Sequence, residues 1–341
     1  MFTARARDYF KIWIVNWALT ILTLGIYSAW AKVRRNRFFY NHTIIDGHNL
    51  EYTADPIRIL KGRIIAAAFV IPMVVLEQMQ DLQLKLISNA IYFMILMLLP
   101  AVIVMAMRFS LRNTEYRGIR FNFEGKMGKS YLVYMLWTII GSVSMGLLFP
   151  IAYKKQTEYL LVNSHFGQSP FQAKPPLLDR HFYGVFLLFF LEMAVLSGGL
   201  LALNSLLSDI STEFPIEYTF IFSAIPFVLF VAFFIAVTSV FRAAVFELVW
   251  SQTHLSTLSF SCDLSKSRIF WIALSNLFLR VISLGFLSPL ATIRMKKYML
   301  SSIQVETTAT AKNHFLADNR DNQSGSTAEG LDDLVGFDFG I

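Results

Sequence analysis

The run Trp13-Ile14-Val15-Asn16-Trp17, followed by Leu22-Thr23-Leu24-Gly25-Ile26-Tyr27-Ser28-Ala29-Trp30-Ala31-Lys32-Val33-Arg34, is an apolar limb, a glycine and a basic, aromatic limb. The pattern returns twice. A shift of 121 places Gly146, Pro150, Lys155 and Tyr159 on Gly25, Ala29, Arg34 and Phe38. A shift of 260 places Asn276, Gly285, Pro289, Arg294 and Tyr298 on Asn16, Gly25, Ala29, Arg34 and Phe38. Each copy reads as a short apolar helix, a Gly able to take the left-handed C′ conformation, and a second helix opened by Ser288-Pro289 or its equivalent. That is a helical hairpin. Its second limb is amphipathic: Trp30, Val33, Arg34, Arg37 and Phe38 set basic groups beside aromatics, as at a headgroup interface.

The composition around these hairpins excludes an ordinary soluble domain. Of 341 residues, 55% are hydrophobic and only 16% charged, where a soluble domain carries about a quarter; mean hydropathy is +0.52. One cysteine, Cys262, excludes an intramolecular disulfide framework and a Cys-based zinc set. The net charge of +7 divides along the chain. From Ala311 onward, Asp318, Asp321, Glu329, Asp332, Asp333 and Asp338 face Lys312 and Arg320, a balance of −4 that leaves the preceding chain at +11. Such a body favours anionic lipid surfaces. No small-residue cleavage site follows the first apolar run, so the N-terminus is expected to stay.

A bilayer core needs roughly 20 apolar helical residues. Four runs supply them: Ile59 to Met79, Leu86 to Met107, Phe182 to Leu207 and Tyr218 to Phe241. The three hairpin stretches, Ile12 to Ala31, Tyr131 to Tyr153 and Ile269 to Ile293, are long enough to span by count, giving seven. The positive-inside rule decides between the models. The segment Glu77 to Lys85 holds only Lys85, and none of the 30 Lys and Arg residues lies between His181 and Phe241. Seven spans would place the acidic loop with Asp209, Glu213 and Glu217 inside and Lys154, Lys155, Lys174 and Arg180 outside. Four spans, with three elements that enter and return on the cytoplasmic side, place every basic loop inside.

A second, smaller repeat follows. Thr43 to Tyr52, Thr114 to Phe123, Ser164 to Ala173 and Thr253 to Cys262 align without gaps, with turns at Asp46-Gly47 and Arg117-Gly118. These read as short β-hairpins expected to pair or pack on the cytoplasmic face. The expected fold is an all-α polytopic membrane protein: parallel internal repeats of a helical hairpin plus two transmembrane helices, with short cytoplasmic β-hairpins. Residues 1–306 form one membrane domain (repeats about 10–123 and 130–262, a final half-repeat about 269–306), and 307–341 an acidic tail expected to be disordered.

The Leu22 to Arg34 run, followed by Asp46-Gly47, Glu51-Tyr52 and Gly62-Arg63, resembles the YjgN family of bacterial inner-membrane proteins, itself of unknown function. The likeness runs over most of the chain. One departure is local: Asn113-Thr114 is contiguous where the first copy has Asn41-His42-Thr43, so no role passes to His42. The resemblance implies residence in the bacterial inner membrane, multi-pass with both termini cytoplasmic on the charge argument, and supplies no activity.

Candidate sites fall in two groups. Glu192 is the one ionisable residue well inside an expected span, where a carboxylate is costly unless paired, protonated or hydrated. Ser197-Gly198-Gly199 would let another helix approach, and Arg242 and Glu247 sit at the inner end of the fourth span as a gate or a snorkelling boundary. These are the candidate transport residues; the bland alternative has Glu192 bonded to a neighbouring helix. The second group is basic: Lys32, Arg34, Arg35 and Arg37, with Lys154, Lys155, Arg294, Lys296 and Lys297 in the other copies. They either bind anionic head groups or a solute, or only hold these loops inside. Asn16 and Asn276 could bond across hairpins.

His42, His165 and His254 lack metal-ligand spacing, and no phosphate loop, nucleophile elbow or paired-carboxylate motif is present. No cofactor, metal or nucleic-acid partner is expected, and no enzymatic activity. The expected partners are membrane lipids, anionic in preference. The leading reading is a transporter- or channel-like protein for a small anionic solute or lipid; the alternative is a non-transporting membrane scaffold that organises anionic lipids.

Overall fold

The computed structural model describes residues 1–174, 176–211, 216–256 and 258–306, with side chains described outside 208–211 and 216–224. Glu213 and the acidic tail lie outside the described residues, as do the side chains of Asp209 and Glu217.

The first stretch folds as α1 (Ala6–Leu22) and α2 (Ser28–Asn41). They run antiparallel, since Tyr9 stacks on Phe38 at 5.4 Å while Asn16 Nδ2 donates to the Ala31 carbonyl at 3.4 Å. Two strands follow, β1 (Ile44–Ile45) and β2 (His48–Tyr52). Asp55 opens α3 (Pro56–Glu77) by accepting from the Ile57 N–H at 2.9 Å, with Pro56 where its missing N–H costs nothing. Asp81 opens α4 (Leu82–Arg112) in the same way, accepting from Gln83 N–H at 2.7 Å. The helices α3 and α4 pack together, and the Ser88 hydroxyl donates to the Met73 carbonyl at 2.9 Å.

The second round begins with β3 (Thr114–Tyr116) and β4 (Ile119–Phe123). The next hairpin has a first limb made of α5 (Met127–Ser130), a π-helical segment Tyr131–Leu136 and α6 (Trp137–Val143), and a second limb α7 (Phe149–Val162). Then come β5 (Ser164–Phe166), β6 (Ser169–Ala173), the long helices α8 (Asp179–Ser211) and α9 (Ile216–Trp250), and the hairpin β7 (Thr253–Leu255) and β8 (Leu258–Cys262). The last hairpin is α10 (Lys266–Ile282) and α11 (Ser288–Ser301), followed by β9 (Ile303–Glu306).

Four helices are long and apolar enough to cross a membrane: Pro56–Glu77, Leu82–Arg112, Asp179–Leu207 and Ile225–Trp250. At about 1.5 Å per residue the shortest reaches about 33 Å, enough for the hydrocarbon layer. Their outward faces carry Phe69, Ile71, Phe93, Leu187, Leu191, Phe227 and Val228 to the surroundings. In water such an apolar surface would be unfavourable; in lipid it is the required face. The three ambiguous stretches are not single spans, because each folds back on itself.

The class all-α is too narrow for what forms beside these helices. Nine strands follow one another in chain order in one sheet. The four expected hairpins are all present, each closed by a two-residue turn: Ile45 pairs with His48, Tyr116 with Ile119, Phe166 with Ser169 and Leu255 with Leu258. Asp46 and Gly47 take φ of 49° and 76°, Arg117 and Gly118 54° and 82°, the signature of a type I′ turn. The hairpins then pair with one another, Leu50 to Tyr52 against Thr114 to Tyr116 and Phe121 to Phe123 against Ser164 to Phe166. An isolated two-stranded hairpin leaves both edges open, so edge-to-edge pairing is the expected gain. The ninth strand, β9, was not anticipated from the sequence.

The chain divides into two compact units, Met1–Lys174 with His254–Ser259 and the chain from Glu306, and Pro175–Thr253 with Phe260–Val305. In the first, Ala29, Val33, Tyr52, Ala54, Ile59 and Phe109 form one core cluster, and Val104, Phe123, Val133 and Tyr159 another. In the second, Val240, Ala243, Cys262, Leu264 and Ile269 pack together.

Candidate anionic-ligand site at the helical hairpins

The three hairpins turn by the same chemistry. Leu24, Met145 and Leu284 take φ of 49°, 53° and 49°, and the following Gly25, Gly146 and Gly285 take 92°, 92° and 90°. Each glycine N–H closes the end of the first limb, on Thr20 O at 2.7 Å, Gly141 O at 2.9 Å and Arg280 O at 2.7 Å. A hydroxyl just before the turn does the rest: Thr23, Ser144 and Ser283 accept from the N–H of Tyr27, Leu148 and Leu287 at 2.9, 3.0 and 2.9 Å. These hydroxyls were missed in the sequence, although the shifts of 121 and 260 superpose them.

A left-handed residue other than glycine costs roughly 1–2 kcal/mol. It is spent here on large apolar side chains standing almost free, Leu24 at 95% exposure, Met145 at 96% and Leu284 at 89%. Leu22, Val143, Leu147 and Ile282 beside them are also exposed. The hairpin tips are therefore apolar, and the basic residues lie further along the second limbs.

In the first hairpin the predicted basic cluster separates into distinct roles. Arg37 is exposed, yet its Nε donates to the Tyr52 carbonyl at 3.2 Å and an Nη to the Ala54 carbonyl at 3.4 Å, so it ties α2 to the end of β2. Arg34 is exposed and makes no hydrogen bond or ion pair among the described residues. Ser28, Lys32 and Arg35 follow at the spacing i, i+4, i+7, which puts them on one face of α2. Arg63 joins that face from α3, its guanidinium donating to the Ser28 hydroxyl. Burial, then the charges of Arg63 and Arg35, hold the Lys32 amine below the ordinary lysine value. No carboxylate among the described residues pairs with Lys32, Arg35 or Arg63. Three cations thus lie within reach of one another's charge without a paired carboxylate among the described residues, an arrangement suited to an anion. Arg63 was not among the candidate site residues read from the sequence.

The other hairpins use their cations differently. Lys154 lies 3.6 Å from the Glu158 carboxylate, one helical turn on. Lys155 is half-buried and Lys297 exposed, with Lys296 also exposed on α11. Arg294 is engaged within its own hairpin: one Nη donates to Asn276 Oδ1 at 3.2 Å, the other to the Ser275 hydroxyl at 3.2 Å. Asn276 Nδ2 in turn donates to the Ala291 carbonyl at 3.0 Å. Asn16 makes the matching bond to Ala31, yet its Oδ1, buried, has no partner.

Glu192 is exposed on α8, as are Ser197, Gly198 and Gly199. Among the described residues its carboxylate has no hydrogen bond or ion pair; the ammonium of Lys266, at the start of α10, is the charge that acts on it. A Cβ added at Gly198 or Gly199 would meet nothing within 4 Å, so no helix of the described chain approaches there. Ser197 donates to the Ala194 carbonyl of its own helix at 3.0 Å. On α9, Arg242 is exposed and Glu247 half-buried, and no ion pair joins them among the described residues. His42, His165 and His254 lie separately against Phe38 O, Glu124 and Lys174 O.

The description of one family fits residues 1–334: bacterial protein of unknown function, DUF898. The chain is also similar to the inner membrane protein YjgN of Escherichia coli K12, 27% identical over 156 residues, covering 45% of this chain and 38% of that protein. Its counterpart in Salmonella typhimurium LT2 is 24% identical over 168 residues, covering 45% of this chain and 42% of the relative. The matched stretch thus spans well under half the length of these relatives. No solved structure matches the chain. Four helices apolar enough to cross and relatives named for the inner membrane make this a multi-pass inner-membrane protein. By the match over nearly its whole length, the chain belongs to the DUF898 family of bacterial proteins of unknown function.

Proposed function

We propose that this protein binds anionic lipid at its helical hairpins and organises it, without moving it across the membrane. Three hairpins enter the bilayer by their apolar tips and return on the cytoplasmic side, four helices cross, and both termini are cytoplasmic. The observation that carries the reading is the grouping of Lys32, Arg35 and Arg63, the last held on Ser28, with no carboxylate paired to them among the described residues. Each cation near an anionic surface is worth about 1 kcal/mol, so three together hold a phosphate group appreciably. The recurring turn geometry supports a chain built from parallel repeats, and in the first hairpin Lys32 and Arg35 have no carboxylate partner among the described residues.

The test is lipid retention. Purified protein from bacterial membranes is expected to carry phospholipid enriched in anionic classes, and a Lys32→Gln, Arg35→Gln, Arg63→Gln variant of unchanged thermal stability is expected to lose that enrichment. Enrichment persisting in the variant would refute the reading.

A second reading, a transporter- or channel-like protein for a small anionic solute or lipid, is favoured by Glu192, a carboxylate on a candidate span without a partner among the described residues. A carboxylate facing lipid is unfavourable unless it is used or hydrated. Loss of anion flux in reconstituted vesicles on Glu192→Gln supports this reading, and absence of flux in the unmodified protein removes it.

A further inference from the structure

Lys32 and Arg35 stand at places where the other two hairpins carry no charge. The shift of 121 carries them onto Tyr153 and Gln156, and the shift of 260 onto Thr292 and Met295. On α2, Lys32 lies one turn from Ser28 and one turn from Arg35, and Ser28 holds the Arg63 guanidinium of α3. Lys32 therefore stands between the other two cations. Arg35 is exposed, and Lys32 and Arg63 are half-buried, so the group opens to the surroundings. The Ser28 hydroxyl donates its own proton to the Gly25 carbonyl, which leaves the cations, and not the hydroxyl, as donors for a ligand. Leu24 and Ile26, just before Ser28, are both exposed, so an apolar surface adjoins the three charges.

From this grouping we infer that the first hairpin takes a phosphomonoester carried on a lipid, the chemistry of phosphatidic acid, in preference to a phosphodiester head group. The inference rests on the lipid reading above and adds the class of head group. A phosphodiester brings a single negative charge to three cations. A phosphomonoester brings three terminal oxygens and a charge of about −1.5 to −2 near neutral pH, an oxygen for each of Lys32, Arg35 and Arg63. Bonds in which both partners are charged are the strong ones. The charges of Arg63 and Arg35 act against the Lys32 ammonium, and a second negative charge offsets more of that opposition than one does. The acyl chains run along the exposed Leu24 and Ile26 toward the apolar tip.

The test uses the full chain in mixed micelles with equal amounts of phosphatidic acid and phosphatidylmethanol, a diester of nearly the same size. Lipid retained through gel filtration is measured at about pH 7.5 and about pH 5, on either side of a second phosphate ionisation near 6. The unmodified protein is expected to prefer phosphatidic acid about fivefold at the higher pH, the value of one further charge contact. At the lower pH, where both lipids carry a single charge, it is expected to take them about equally. That change belongs to the ligand. Acidification only favours the proton already on Lys32, and the Tyr9 and Tyr52 phenols that Arg35 acts on in α1 and β2 are pushed up by burial and stay neutral. A Lys32→Gln, Arg35→Gln, Arg63→Gln variant is expected to lose the preference. Lys129→Gln with Lys174→Gln, which removes two exposed cations elsewhere, is expected to keep it.

Equal retention of the two lipids by the unmodified protein at the higher pH overturns the inference whether or not any variant folds. A preference undiminished at the lower pH overturns it too, since it then follows head-group size and not charge. If retention is equal and the triple variant loses both lipids, the lipid reading stands without the inference. If the triple variant, as thermally stable as the unmodified protein, keeps both, that reading falls as well. Soluble glycerophosphate at the same concentration is expected to leave bound lipid in place, and displacement would overturn the lipid as the source of the phosphomonoester.

Discussion

Arg63, at the second turn of α3, donates to Ser28, at the first turn of α2, across 35 positions of sequence. That bond brings a guanidinium from a membrane-crossing helix onto the basic face of a hairpin, beside Lys32. The consequence is a local excess of positive charge that the fold itself disfavours, and that an anion relieves.

Lys32 therefore reports occupancy. In the folded protein its amine is held below the ordinary lysine value by burial and by Arg63 and Arg35. The unfolded chain binds the proton more tightly, so this group favours unfolding at low pH and its penalty fades as pH rises toward the unfolded lysine value, about 10.4. A bound anion raises the amine again, so affinity is full below the free protein's Lys32 pKa and falls as pH rises through it. As pH rises, binding of an anionic lipid is expected to start weakening before the ordinary lysine value of about 10.4 is reached, and to start at a higher pH when Arg63→Gln removes the neighbouring charge. A lipid affinity flat across the alkaline range would contradict this.

Arg294 in the third hairpin serves structure. Arg294→Met leaves Asn276 Oδ1 buried and unpaired, and is expected to cost about 1–3 kcal/mol. Arg34→Met, at the matching position, is expected to change stability by less than about 0.5 kcal/mol, as for an exposed substitution. Thermal unfolding of the two variants in detergent measures the difference.

The hairpin turns depend on their glycines. Gly25 has φ of +92° and nothing within 4 Å of an added Cβ, so Gly25→Ala tests conformation without a clash. The expected loss is roughly 1–2 kcal/mol. Gly128→Ala, in ordinary helix and equally open, is expected to stabilise slightly, by about 0.5–1 kcal/mol.

The apolar tips are expected to sit in lipid. Leu24→Asp is expected to cost about 2–3 kcal/mol if the tip sits in hydrocarbon, and close to nothing if it sits in water. Comparing membrane-bound with aqueous fractions of the variant and of Leu82→Asp, at the exposed first residue of α4, reads this directly; equal behaviour would place the tip outside the bilayer.

Much of this architecture was legible from local pattern. The glycine between an apolar and a basic limb set each turn, Asp46-Gly47 and Arg117-Gly118 set the strand turns, and the scarcity of Lys and Arg around four runs separated spans from hairpins. Long-range pairing was not legible. Nothing local distinguishes Arg37, which binds β2 and Ala54 backbone, from Lys32, which faces Arg63; only the packing of α2 on β2 and α3 separates them. Edge pairing of the β-hairpins into nine strands likewise depends on elements far apart in the chain. Thr23, Ser144 and Ser283 were within reach of the repeat shifts, but their role as caps of the second limb follows from geometry, since their neighbours are all apolar or small.

The most direct test of the whole account is the compartment of two reporters, one placed before Tyr131 and one after Pro176, bracketing the middle hairpin. Both reporters in the cytoplasm is the result expected of an element that enters the bilayer and returns beside four spans. Reporters in opposite compartments would make the middle element a crossing one and overturn the assignment of its basic limb to the same membrane face as Lys32.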